Sequence, residues 1–142
     1  MKTTHALAAL LLAAAAILSP FAAHAQKAER QHLVIQVSDA DPGKWSLALN
    51  NAENVQQALG KSNVDIEIVA YGPGLAMLKG DSKVAARLNA ALDSNVELLA
   101  CETTMRKAKV TKEDLAAGSK VIPGGVIHIM QRQRAGWSYI KI

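Results

Sequence analysis

Residues 96–105, VELLACETTM, decide the fold. Val96 to Ala100 is a short apolar run of strand character, with Cys101 at its carboxyl end. Glu102 to Val110 has the polar composition of a short exposed helix. A strand that passes into a helix with no Gly or Pro between them is half of a β-α-β unit. The same alternation runs outward from it in both directions.

Upstream, His32 to Val37 (HLVIQV) is β-rich and apolar, the first strand. After the loop Ser38-Asp39-Ala40-Asp41, Asp41-Pro42 has the form of a helix N-cap with Pro at the first helical position. Trp45, Ala48, Leu49, Ala52, Val55 and Leu59 then recur at helical spacing, and Gly60 ends the helix. Val64 to Ala70 (VDIEIVA) is the second strand. Asp65 and Glu67 alternate there with Val64, Ile66 and Ile68, which predicts a wet face near its start. Tyr71-Gly72-Pro73-Gly74 is a turn cluster, Leu75 to Leu78 a short apolar piece closed by Gly80. Ser82 is placed to cap a helix carrying Val84, Ala85, Leu88, Ala91 and Leu92 on one face.

Downstream, Thr111 and Asp114 have capping-box spacing, predicting a helix of one to two turns that stops at Gly118. Val121-Ile122 is a very short strand, and Pro123-Gly124-Gly125 a loop. Val126, Ile127, Ile129 and Met130 begin an apolar helical face, with Gln131 to Arg134 as its solvated end and Gly136 as its cap. Trp137 to Ile142 alternates as a last strand. The order βαβαβααβαβ predicts an α/β fold: a mostly parallel sheet of about five strands with helices on both faces.

The amino terminus has a different character. Lys2 precedes an uninterrupted apolar run, Leu7 to Leu18, then Ser19-Pro20 and the small-x-small triplet Ala23-His24-Ala25. This pattern predicts a signal peptide cleaved at Ala25-Gln26, a single domain over 26–142, and a periplasmic or secreted product. The run is too short for the ~20 residues that span a bilayer, so no stable membrane anchor is expected.

Composition narrows the chemistry. Aromatic residues make up 4% of the chain, which argues against a stacking platform for nucleic acid. A single Cys supports neither a disulfide framework nor a structural zinc site. Phosphate-loop, G-x-G-x-x-G and G-x-S-x-G motifs are missing, so no cofactor, metal or hydrolase chemistry is expected.

Cys101 therefore carries the functional reading. At the carboxyl end of a strand and the start of a helix it meets unpaired amides and the positive end of the helix dipole, which favour thiolate and a pKa below ~8.5. Thr103, Thr104 and Arg106 are the candidates to stabilise the sulfur anion, with Lys107 and Lys109 adding positive potential and Glu102 opposing it. The other reading is a small buried core residue. His32 and His128 read as structural or surface residues, and Asp39 and Asp41 as capping groups at the same sheet edge. Pro123-Gly124-Gly125 reads as a turn, although its free amides could bind an anion. The run Arg106 to Lys112, Arg132 and Arg134 read as solvated.

HLVIQV, VDIEIVAYGPGLAML, VELLACETTM and VIPGGVIHIMQRQRAGWSYIKI, in this order, resemble the DsrE/DsrF-like, sulfur-relay type family over nearly all of residues 32–142. The resemblance implies a three-layer α/β/α fold that assembles as a homotrimer or hexamer. It also implies that Cys101, in its Cys-x-x-Thr-Met setting, matches the Cys on which relay members carry a persulfide. Two functions follow as expectations. One is a periplasmic sulfur carrier working with a sulfane-sulfur donor or an acceptor thiol protein. The other is a non-catalytic oligomeric module in which Cys101 is packing and the helix faces and Leu75 to Leu78 make subunit contacts. A redox sensor or mixed-disulfide partner is a third possibility.

Overall fold

The computed structural model describes residues 29–142. The expected export segment, 1–25, and its cleavage site lie outside them. Five strands, β1 (Gln31–Val37), β2 (Val64–Ala70), β3 (Val96–Cys101), β4 (Lys120–Ile122) and β5 (Ser138–Lys141), form one sheet in the order β4-β3-β2-β1-β5. Every pairing is parallel.

Alternation along the strands divides the sheet's two faces. Leu33, Ile35, Val37, Ile66, Ile68, Ala70, Leu98 and Ala100 point to one side, where helix α1 (Pro42–Leu59) contributes Trp45, Ala48, Leu49 and Ala52, and α2 (Ala85–Asp93) contributes Leu88. Burying each large aliphatic side chain there contributes about 1.5–3 kcal/mol. Val34, Val69 and Leu99 point to the other side, where helix α4 (Gly125–Arg134) supplies Ile129. The layers are α/β/α, as expected. α3 (Glu102–Ala108) continues directly from β3 and buries Met105 in the larger core.

Local signals explain most boundaries. Asp41 caps α1 by accepting the Gly43 N–H at 2.7 Å, with Pro42 at the first helical position. Gly60, at φ +87°, closes it. Ser82 caps only the turn leading into α2, accepting from the Val84 N–H at 3.4 Å, and the helix begins at Ala85. The Thr111–Asp114 capping box forms, but it opens a single 3-10 turn, Lys112–Asp114, not a helix reaching Gly118. Its exit is pinned instead by neighbouring backbone, with Gly80 N–H on Asp114 O and Ala116 N–H on Leu78 O.

Three further expectations are corrected. Leu75, Met77 and Leu78, in the 3-10 segment Gly72–Leu78, are buried in the protein's own core and offer nothing to a second subunit. Glu67 does not face water: α4 covers it, leaving the residue 3% exposed. Of the apolar face expected at the start of α4 only Ile129 enters the core, since Val126, Ile127 and Met130 are 53%, 59% and 44% exposed.

Candidate functional site

Cys101 is the last residue of β3 and the N-cap of α3, so its side chain sits where the strand's alternation places it, on the α4 side of the sheet. The residue is 5% exposed. Its surroundings are nevertheless polar. The N–H of Gly125, at the first turn of α4, donates to Sγ at 3.3 Å. Burial pushes the thiol pKa up, but hydrogen bonds from the Gly125 N–H, the Thr104 N–H and hydroxyl, and the Thr103 N–H outweigh it. The net effect holds Cys101 below its ordinary thiol value, because each donor stabilises the charged sulfur.

The donors are themselves held in place. Thr104 Oγ1 accepts from Gly72 N–H at 3.0 Å, leaving its own proton for the sulfur. Gly72 belongs to the turn after β2, which reaches this position because Tyr71 N–H bonds Val37 O and Gly74 presses onto the end of β1. Thr103 Oγ1 donates to Pro123 O at 3.1 Å, tying α3 to the loop before α4. Tyr71 packs its ring against Gly125, where an added Cβ would lie 3.0 Å from Cδ1. Burial raises the Tyr71 pKa, and charge on Tyr139 and Cys101 raises it further against a lowering hydrogen bond from Ser38. Tyr71 is therefore a neutral phenol at physiological pH.

Thr103 and Thr104 thus lie at the sulfur. Arg106 does not: it is paired with Glu102 at 3.1 Å and donates to Thr103 Oγ1 at 3.3 Å, with a side chain 62% exposed. Glu102 is turned toward Arg106 in that i, i+4 pair. Asp41 is a cap, and Asp39 binds Lys44 at 2.5 Å and accepts the Trp45 indole N–H on its carbonyl. Sequence reasoning gave Gly125 and Tyr71 too little weight. The available signal was the Gly-Gly pair opening a helix, whose free N–H groups suit an anion.

Neither histidine reaches the sulfur. His32 is at the amino end of β1, stacked on Trp137 at 5.0 Å and 3.1 Å from Asp65. His128 Nε2 lies 2.6 Å from Glu67 Oε2, and Arg132 completes a bidentate pair on the same carboxylate at 2.9 and 2.5 Å. Arg132, expected to be solvated, is thus clamped over the sheet, with its guanidinium 4.6 Å above Trp137. Among the described residues no three His, Cys, Asp or Glu side chains converge closely enough to hold a metal ion, and no helix is long and apolar enough to cross a membrane.

The site can stabilise an anionic sulfur with backbone amides and a hydroxyl, at a buried junction of α3, α4 and the turn after β2. Comparison with known proteins places it in a lineage. The DsrE/DsrF-like family model matches residues 31–142. A protein of unknown function from Methanobacterium thermoautotrophicum, MTH1491, is 31% identical, with a TM-score of 0.75 over 79% of this chain and 99% of its own. The ychN protein of E. coli (20% identity, TM-score 0.65, 79% and 99% covered) shares the fold. So does BT1422 of Bacteroides thetaiotaomicron, a conserved protein of unknown function (17%, 0.62, 79% and 95%). No curated protein matches. With the family model covering every strand of the sheet and a 31% identical relative of matching fold, the chain belongs to the DsrE/DsrF-like family.

Proposed function

We propose that this protein is an exported sulfur carrier in which Cys101 holds a persulfide. The observation that supports this reading best is the Gly125 N–H on Cys101 Sγ, which with the Thr103 and Thr104 donors favours the thiolate despite its burial. The Cys101 thiolate attacks the terminal sulfur of a donor R–S–SH. One S–S bond forms as the donor's S–S bond breaks, giving Cys101–S–SH and R–S⁻. An acceptor thiolate then takes the terminal sulfur and regenerates Cys101–S⁻, with no net oxidation and no cofactor. Thr103, Thr104 and Gly125 stabilise the anion at each stage. Arg106 serves at one remove, by holding Thr103. The export pattern at 1–25 supports a periplasmic or secreted setting. Association as a trimer or hexamer through the exposed start of α4 belongs to the same proposal.

A second reading, a structural module in which Cys101 is packing, is favoured by the 5% exposure. Intact-mass measurement after exposure to polysulfide separates the two. The carrier gains one sulfur on Cys101, and Cys101→Ala gains none. If the native protein gains no sulfur and alkylating reagent does not reach Cys101, the packing reading stands.

A further inference from the structure

The residues of α4 that meet the sheet are Gly125, His128, Ile129 and Arg132, an i, i+3, i+4, i+7 stripe. Only Ile129 in this stripe contributes substantial apolar burial, while Val126, Ile127 and Met130 are exposed. Hydrophobic packing alone therefore fixes the helix weakly. A further anchor, beside the Thr103–Pro123 bond and the pairing of β4 with β3 that hold the helix start, is Glu67, a buried carboxylate on β2 gripped by both His128 and Arg132. Glu97, the register neighbour of Glu67 on β3, is paired with Lys120 at 2.8 Å; its charge also acts on Arg132, but Glu67 alone hydrogen-bonds the guanidinium.

We infer that Glu67 is a positioning residue: through His128 and Arg132 it sets the height and register of α4 on the sheet, and so brings the Gly125 N–H onto Cys101 Sγ. The geometry supports such a constraint. Gly125 sits one turn before His128 on the same stripe, and the ring of Tyr71 stands close enough that a Cβ at this position would lie 3.0 Å from it. The clamp in the middle of the sheet thus adds to the tether at the helix start in setting where α4 lies. A buried polar cluster with its hydrogen bonds complete rigidifies its surroundings, and removing one partner leaves the other uncompensated. The inference concerns the thiol on which the carrier reading rests, but its readout is protonation and not sulfur transfer.

The test follows the Cβ chemical shift of Cys101 with pH in the full mature chain, which needs no reagent to reach the sulfur. Glu67→Gln keeps the size and removes the charge. The expected result is a retained fold with Cys101 titrating about one pKa unit higher, about a tenfold loss of thiolate at a fixed pH below that value. A retained fold with an unchanged titration overturns the inference, even if thermal stability falls, since that outcome marks a merely structural role. Should Glu67→Gln fail to fold, Arg132→Gln, at a partly exposed position, cuts the bidentate pair. An upward shift supports the inference and no shift overturns it. Failure of Cys101 to gain sulfur from polysulfide would remove the carrier reading and leave this titration result standing.

Discussion

Cys101 combines two opposed effects, burial and hydrogen bonding to its anion, and the second prevails. This has a thermodynamic consequence. The folded-state pKa lies below that of the unfolded chain, so between the two values the unfolded state binds more protons. Folding stability therefore rises with pH across that window; the contribution is complete above the unfolded value and is lost as pH falls through the folded one. Urea midpoints measured across the window should climb more steeply for the native sequence than for Cys101→Ala, and parallel curves would contradict the assignment. The sulfur's place at a strand end was legible from the block VELLACETTM, as were the threonines that follow it. The decisive amide was not, because Gly125 is 24 residues away and only the tertiary fold turns its N–H toward the sulfur. Arg106 misled for a related reason: proximity in sequence suggested a role on sulfur, whereas the i, i+4 relation to Glu102 captured its charge.

Among the elements, those with strong periodicity were readable and those set by long-range contacts were not. The α1 stripe from Trp45 to Leu59 and the alternation of β1 to β3 follow from the chain itself. The polar end of α4 did not, since nothing in Gln131 to Arg134 reveals a carboxylate on β2 beneath it. Nor did the short 3-10 turn after Thr111, whose exit is fixed by the distant backbone of Leu78 and Gly80. The segment Gly72–Leu78 illustrates how an element transmits geometry to the site. A Cβ on Gly74 would lie 2.3 Å from Val37 O, a backbone atom that cannot yield without moving β1. Gly74→Ala should cost about 1–3 kcal/mol. It should also lift Gly72 away from Thr104, so denaturation should show the loss and the Thr104 resonances should shift. An unperturbed Thr104 would show that the segment and the site are independent.

For the whole molecule, the two faces of the sheet are unequally covered. α1, α2 and the 3-10 segment bury one thoroughly, while α4 alone lies over the other, with Val126, Ile127 and Met130 turned outward. If copies associate through this helix, as proposed, light scattering will give a mass several times that of one chain. Val126→Asp with Ile127→Asp will then return it to the monomer without unfolding. A mass unchanged by the double substitution would move the interface elsewhere. The sheet's own borders are poor places for such a contact. β4 has three residues and β5 four, and they end in or begin with charged side chains, Lys120 and Lys141. Short, cationic margins of this kind give an incoming strand few amides to pair with and a charge to repel it. Crowded solutions of the folded chain are thereby guarded against runaway fibril growth by sheet extension.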